Sequence, residues 1–195
     1  MNDKIADLIN ENKFIVFLIN EVGYPDRIRR IVSAAEKHHK RVCYVCLSTT
    51  YEDVLAWMRP ANITIDKFFF IDTLSSHYEE KLPCENCFFV SSPSSLDEIR
   101  ESLSSAIKEK GCEMVIFDAI SSLLEYSDLF SILKFTHSLM TENKCAETRK
   151  MYLVVREDVI PENESRRLVT DLEMFADKVV DIRNGQTDRN ILTER

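Results

Sequence analysis

Residues 13–27, with the sequence KFIVFLINEVGYPDR, decide the fold of this 195-residue chain. After its lysine the stretch is apolar without a break up to Asn20, which is typical of a short strand buried on both faces of a parallel sheet. The spacing of apolar residues then changes to one every three or four positions, which predicts an amphipathic helix at about 26–40. A buried strand that turns directly into such a helix is the unit from which α/β proteins are built.

The same alternation of apolar runs and helical periodicity continues along the rest of the chain. It predicts a three-layer α-β-α sandwich of the α/β class with a mostly parallel central sheet. We expect one domain over residues 1–195, with a lead-in helix in 1–12 and a C-terminal turn and edge segment or tail at 184–195. Residues 74–86 are predicted to form the longest loop. The predicted strands are at 14–19, 42–47, 67–72, 87–91, 113–118, 151–155 and 178–183.

Polar residues mark the predicted starts of three helices. Thr50 and Asp53 have the spacing of a capping box, in which each side chain accepts a hydrogen bond from the other residue's backbone N–H. Ser95 and Glu98 have the same spacing and predict a second capping box. Ser127 is the expected N-cap of the helix that follows the fifth strand.

Charge and composition narrow the classes of partner. A formal net charge of −8 and a pI of about 5.1 argue against nucleic acid or a membrane surface as a partner, since both require a dominant positive field. No apolar run approaches the roughly 18 residues of a membrane-spanning helix, and the first residues lack the apolar core of a secretory signal. Six cysteines without such a signal favour the reducing cytoplasm, where thiols stay free.

The turn after the first strand departs from the phosphate-binding pattern G-x-x-x-x-G-K-[ST]. Laid on that pattern without gaps, the chain has Asn20, Pro25, Asp26 and Arg27 at the four fixed positions. Proline has no N–H to offer a phosphate. The aspartate brings a like charge to the place of the lysine, which costs about 1 to 4 kcal/mol at a separation near 4 Å. The pattern therefore predicts a strand-turn-helix unit without an intact Walker A motif.

Four segments carry a resemblance to a known family. Residues 14–19 correspond to the strand before the phosphate loop, and 41–55, RVCYVCLSTTYEDVL, is similar to the pattern R-V-x-Y-V-x-L-E-E-T-x-E-x-L. Residues 113–124, EMVIFDAISSLL, resemble the Walker B stretch VVIDSLSALL, and 175–183, FADKVVDIR, resembles a closing ADGVIEL strand. Over about 13–185 the chain thus resembles the KaiC-like branch of the RecA-type ATPases, which implies a RecA-like fold and an archaeal, cytoplasmic protein.

The resemblance also implies where the catalytic groups of an ATPase should be. The family's tandem glutamates, which activate the attacking water, are replaced here by Ser48 and Thr49, and the loop lysine and threonine are replaced by Asp26 and Arg27. Only Asp118 matches a catalytic position. Phosphoryl transfer depends on several charges positioned around phosphates and metal, so one carboxylate does not suffice. We therefore predict a pseudo-ATPase with no catalytic residues and no cofactor.

Seven residues are the candidates for a degenerate pocket, because open α/β sheets hold ligands at the carboxyl ends of their strands. They are Asn20, Gly23, Asp26, Arg27, Ser48, Thr49 and Asp118. Two outcomes are open: the pocket keeps an anionic small molecule, or the bulky Tyr24, Pro25 and Arg27 fill it. For Asp118 the alternatives are a group that supports a metal ion and a residue that only hydrogen-bonds the neighbouring loop.

Cys84 and Cys87 form a single C-x-x-C pair. A zinc site needs a second pair or histidine ligands, and only His77 is close in sequence. The pair leads into a strand, whereas a thioredoxin-type motif opens a helix. We expect Cys87 to pack in the strand and Cys84 to be an ordinary loop thiol, and the two remain weak candidates for a metal or redox site.

Three functions follow as hypotheses. The first is a non-catalytic domain that acts in regulation or assembly, through a protein partner or through self-association. The second is a sensor that binds a nucleotide or another anion without hydrolysing it, with Arg27 and Arg29 at a helix N-terminus in place of the missing lysine. The third is an ATPase with relocated catalytic groups, which the missing loop and glutamates disfavour.

Overall fold

The computed structural model describes residues 4–78, 83–141, 150–156 and 162–182. Seven strands form one sheet in the order β4-β3-β2-β5-β6-β1-β7, and every pair of neighbouring strands is parallel. This confirms the predicted α/β class with its parallel sheet. The strands are β1 Phe14–Ile19, β2 Val42–Cys46, β3 Phe68–Asp72, β4 Cys87–Phe89, β5 Met114–Asp118, β6 Lys150–Arg156 and β7 Lys178–Asp181.

Seven described helices accompany the sheet. They are α1 Lys4–Glu11, α2 Tyr24–His38, α3 Tyr51–Met58, α4 Ser75–Tyr78, α5 Leu96–Lys108, α6 Leu129–Thr141 and α7 Glu162–Glu173. Short 3₁₀ turns lie at Glu21–Gly23, Ile65–Lys67 and Ile120–Glu125. The lead-in helix predicted within 1–12 corresponds to α1. The C-terminal segment predicted at 184–195 lies outside the described residues.

Two apolar clusters, one on each face of the sheet, make up the three layers. Successive side chains of a strand point to opposite faces. Along β1, Ile15, Phe17 and Ile19 accordingly pack with α1, α2 and α3, whereas Val16 and Leu18 pack with α5, α6 and α7. All six residues of β1 are buried, as the unbroken apolar run requires. The sheet therefore has helices on both sides, and its strand ends are the edges at which polar residues gather.

The starts of two helices agree with the capping predictions only in part. The capping box of α3 is present, because Thr50 Oγ1 accepts the Asp53 N–H at 3.2 Å and the Asp53 carboxylate accepts the Thr50 N–H at 3.4 Å. The box predicted at the start of α5 is wrong. The Glu98 carboxylate accepts instead from the N–H of Ser91 at 3.1 Å, and the Ser95 hydroxyl lies 3.0 Å from the Ser91 hydroxyl.

The N-cap of α6 is Asp128, one residue after the predicted Ser127. The carboxylate of Asp128, and not Ser127, accepts hydrogen bonds at this helix start. Its two oxygens take the Ser131 N–H at 3.0 Å and the Ser131 hydroxyl at 2.7 Å. Aspartate and serine have similar N-cap preferences, so the sequence pattern alone does not separate the two registers.

Candidate functional site at the carboxyl edge of the sheet

The carboxyl ends of β2 and β5 are joined by hydrogen bonds. These two strands are neighbours, whereas β6 separates β5 from β1. The main-chain carbonyl of Asp118 accepts the N–H groups of Leu47 at 2.8 Å and Ser48 at 3.0 Å, and the Ser48 hydroxyl at 3.4 Å. The peptide bond between Asp118 and Ala119 is cis. Of the predicted site residues, Ser48 and Asp118 are thus in direct contact, and the turn after β1 lies across the intervening strand.

The turn after β1 is short and helical. Only residues 20–23 separate β1 from α2, and Glu21–Gly23 form a 3₁₀ turn that runs straight into the helix. The side-chain carbonyl of Asn20 accepts the N–H of Gly23 at 3.3 Å. α2 therefore starts at Tyr24, earlier than the sequence predicted, and one backbone N–H of the turn is bonded by the chain itself.

The side chain of Arg27 lies folded back over this turn. Its guanidinium occupies the place where a β-carbon would stand if Gly23 carried a side chain, and the same place is 3.1 Å from the Asn20 side-chain oxygen. Glycine at this position therefore allows the close approach of Arg27. Asn20, Gly23 and Arg27, three of the predicted residues, come together here.

Asp26 points away from the turn. Its side chain is 88% exposed, and its carboxylate lies 3.6 Å from the guanidinium of Arg29, whose side chain is 46% exposed. Exposed pairs of this kind contribute about 0 to 1 kcal/mol. Pro25 lies in the first turn of α2, where its missing N–H has no intrahelical partner to lose. The acid at the lysine position therefore faces solvent beside an arginine.

Asp118 is turned toward the core. The residue is 2% exposed, and one oxygen of its carboxylate accepts a hydrogen bond from the hydroxyl of Tyr44, a fully buried residue of β2. Burial raises the pKa of Tyr44 well above its ordinary value. The phenol therefore stays protonated at neutral pH and is able to donate. Tyr44 was missed in the sequence because it is also an ordinary core residue of an apolar strand.

Ser48 and Thr49 lie where the resemblance implies two glutamates. The Ser48 hydroxyl donates a hydrogen bond to the main-chain carbonyl of Asp118. The Thr49 hydroxyl is buried and has no hydrogen-bond partner within the part of the chain that the structure describes. Neither hydroxyl is a base near neutral pH. These two positions thus add no negative charge to the carboxyl edge.

Asp72, the last residue of β3, is a second buried carboxylate at this edge. It is fully buried, and each of its oxygens accepts two hydrogen bonds. One oxygen takes the N–H groups of Leu74 at 2.8 Å and Ser75 at 2.9 Å. The other takes the N–H of Tyr51 at 2.7 Å and the Ser75 hydroxyl at 2.6 Å. Asp72 therefore connects the first residue of α3 with the first residue of α4. Because α4 spans Ser75–Tyr78, part of the loop predicted at 74–86 is helical.

Large apolar side chains are exposed on the segments that follow the strand ends. Val22 is 93% exposed in the turn after β1, Tyr78 is 74% exposed at the end of α4, and Phe130 is 76% exposed at the start of α6. Tyr126, between β5 and α6, is 38% exposed. Its pKa is raised by partial burial and by the nearby Glu125 and Tyr78. The two tyrosines are therefore neighbours at this edge.

Cys84 and Cys87 face each other at the β4 edge of the sheet, as an antiparallel bridge across the turn that leads into β4. Among the described residues no group of three or more histidine, cysteine, aspartate or glutamate side chains is arranged to hold a metal ion.

None of the described helices combines the length and apolar character needed to cross a membrane.

Buried ionisable groups predict a loss of stability at alkaline pH. Burial raises the pKa of Cys43, Cys46, Cys87 and Tyr44, and raises the pKa of Tyr51 to about 12. In the unfolded chain these groups ionise near their ordinary values, about 8.5 for thiols and 10 for phenols. Their contribution to stability is therefore complete below about pH 8 and is lost as the pH rises.

Urea unfolding measured at several pH values checks this prediction. The free energy of unfolding should fall steadily between about pH 8.5 and 11. Cys112 acts in the opposite sense, because a hydrogen bond from the Cys43 thiol and the charge of Arg41 lower its pKa. The lowered pKa of Cys112 offsets the effect of only one of the groups whose pKa is raised. A Tyr51→Phe variant should lose stability less steeply above pH 10, and a free energy that stays constant up to pH 11 would contradict the prediction.

The comparison with solved structures supports the fold. No protein-family model matches the sequence, and no curated protein is similar to it in sequence. Among solved structures, KaiC-like protein PH0186 from the archaeon Pyrococcus horikoshii OT3 superposes with a TM-score of 0.62 at 15% identity, over 92% of this chain and 75% of that one. Uncharacterized protein PH0321 from Pyrococcus horikoshii, solved with an unknown peptide, has a TM-score of 0.64 at 13% identity, over 93% and 84%. The chain therefore shares the α/β fold of these two archaeal structures.

Proposed function

We propose that this chain is a pseudo-ATPase: a non-catalytic KaiC-like domain that acts in regulation or assembly through protein-protein contacts. The observation that carries the proposal is the turn after β1. In a P-loop protein the N–H groups of this turn are open to phosphate oxygens. Here Asn20 accepts the N–H of Gly23, and the guanidinium of Arg27 covers the same glycine. The chain's own side chains occupy the position beside Gly23, which supports a turn that does not bind phosphate.

The remaining polar groups at the edge also favour a non-catalytic role. Phosphoryl transfer relies almost entirely on charges positioned around the phosphates, the metal ion and the attacking water. The carboxylate of Asp118 accepts from the buried Tyr44, and Ser48 and Thr49 supply hydroxyls in place of carboxylates. No cofactor is part of the proposal.

The exposed apolar residues supply a surface for a protein partner or for a second copy of the chain. Val22, Tyr78, Tyr126 and Phe130 all follow the carboxyl ends of strands. Exposed large apolar side chains that gather on one side of a protein mark interaction surfaces. PH0321, which has the same fold, was solved with a peptide, and this supports a peptide- or protein-binding role here. The net charge of −8 argues against a nucleic-acid or membrane partner, and the six cysteines favour a cytoplasmic location.

A phosphate-release assay with Mg·ATP tests the absence of activity. We expect no release above the buffer rate. The Asp118→Asn variant, purified in the same way, is the control for release that does not depend on this carboxylate. Release by the wild type that the Asp118→Asn variant abolishes would overturn the pseudo-ATPase proposal.

Light scattering after size-exclusion chromatography tests the role in contacts. We expect self-association, or a complex with a protein partner, that the double variant Tyr78→Ser, Phe130→Ser weakens. A strict monomer that forms no complex would count against the assembly role. The Met174→Ser variant changes a 74% exposed apolar residue that follows α7, and it serves as the matched control.

A nucleotide or anion sensor is the second candidate function. It is favoured by the position of Arg27 at the start of the 15-residue helix α2, because helix N-termini attract anions. Calorimetry with ADP, pyrophosphate and cyclic dinucleotides, with and without Mg²⁺, tests it. Binding that Arg27→Ala abolishes and Arg29→Ala retains would support the sensor, and absence of binding to all three probes would exclude it for these ligands.

A further inference from the structure

We propose that Cys84 and Cys87 are a site of reversible disulfide formation. The two residues flank the turn Glu85–Asn86 and face each other as an antiparallel bridge. The Cα atoms of such a pair lie about 4.5 to 5.5 Å apart, within the range of about 4.4 to 6.8 Å that a disulfide requires. Directly opposed residues also place their side chains on the same face of the ribbon. The backbone therefore places the two cysteines opposite each other, with a Cα separation of the kind that a disulfide spans.

The surroundings of the two thiols give them different roles. Cys84 is partly exposed, and its thiol lies 3.9 Å from the hydroxyl of Tyr51. Cys87, the first residue of β4, is 2% exposed. Cys84 is therefore the thiol that a reagent reaches first, and Cys87 lies behind it as the second. The other described cysteines, Cys43, Cys46 and Cys112, are all buried.

The reaction needs a small-molecule disulfide, such as oxidised glutathione, as the oxidant. The thiolate of Cys84 attacks one sulfur of this disulfide, the S–S bond breaks, and one small thiolate leaves. The thiolate of Cys87 then attacks the Cys84 sulfur in the mixed disulfide and releases the second small thiolate. Two electrons pass from the two cysteines to the oxidant, and the two thiol protons end on the two small thiols. Reduction follows the same steps in reverse.

The position of the pair makes its oxidation local. The bond would close a ring of only four residues, so its effect on the entropy of the unfolded chain is small. It removes the thiol proton of Cys84, and with it the hydrogen bond that this thiol donates to the Tyr51 hydroxyl. The Tyr51 ring packs against Phe70 and Phe89, with ring centroids 4.8 and 6.3 Å away. Oxidation therefore changes the environment of the first residue of α3 and leaves the sheet intact.

Thiol counting on the full chain in glutathione redox buffers tests the proposal. We expect two of the six thiols to disappear as the buffer becomes oxidising and to return with dithiothreitol. Mass spectrometry should find the peptide that contains both Cys84 and Cys87 lighter by two hydrogens. The Cys84→Ser variant should lose no thiol pair under the same conditions, and the Cys112→Ala variant should lose the same pair as the wild type.

Two results would overturn the proposal. In the first, all six thiols of the wild type remain free across the buffers in which glutathione itself is largely oxidised. In the second, the bond forms elsewhere, either between Cys43 and Cys112, whose thiols are hydrogen-bonded, or between two chains. Neither readout uses nucleotide binding or assembly, so the result is independent of the proposed function.

Discussion

Replacing Asp72 by alanine is expected to lower the free energy of unfolding by about 3 to 5 kcal/mol. The carboxylate is fully buried and accepts four hydrogen bonds from Tyr51, Leu74 and Ser75. Its loss leaves three backbone N–H groups and one hydroxyl without this acceptor. One of these N–H groups belongs to the first residue of α3, where a negative charge also favours the helix dipole.

Urea denaturation of the wild type and the variant measures this loss. The Asp97→Ala variant is the matched control, because Asp97 likewise has a carboxylate near a helix start, in the first turn of α5. Its side chain is 87% exposed and bonds only Arg100 among the contacts that the structure gives it. We expect the control to cost no more than about 1 kcal/mol. Equal effects of the two variants would show that the buried position of Asp72 contributes nothing.

The Tyr44→Phe variant is expected to lower the free energy of unfolding by about 2 to 3 kcal/mol. Phenylalanine fills the same volume, so the variant removes only the hydroxyl that donates to the buried carboxylate of Asp118. Hydrogen bonds to charged groups contribute more than those between neutral groups. The Tyr126→Phe variant, at a partly exposed phenol, is the control and should change stability by less than about 0.5 kcal/mol.

A double-mutant cycle with Asp118→Asn isolates the interaction between the two side chains. If Asp118 acts with Tyr44 as a structural pair, the two substitutions should be coupled by about 1 kcal/mol or more. Additive effects would mean that the pair does not interact in solution, and Asp118 would then be available for another role. The cycle therefore separates a structural carboxylate from one kept for chemistry.

Strands β1, β2, β3 and β5 were predictable because each is an apolar run that is buried on both faces. β1 has the predicted bounds, 14–19, and every residue of it is buried. The helix starts were less predictable, since Ser127 and Asp128 have similar capping preferences and only the fold decides between them. Glu98 was assigned to a capping box, but the folded chain brings Ser91 within its reach.

Those parts of the candidate site that lie within one segment of the chain were predictable, and the contacts between distant segments were not. Asn20, Gly23 and Arg27 lie within one short stretch of sequence, and the structure brings them together. The bond between Tyr44 and Asp118 depends on β2 and β5 being neighbours, which local patterns do not reveal. For the same reason Asp72 was read only as the end of a strand, although its partners are 21 residues back in the chain and immediately after it.

Calorimetric titration with Mg·ATP tests most directly the central proposal that the turn at 20–23 does not accept a polyphosphate. We predict no saturable heat for the wild type. Saturable binding with one site per chain, weakened by substitution of Arg27 or Asp118, would contradict the proposal and would require that the turn opens to admit the nucleotide.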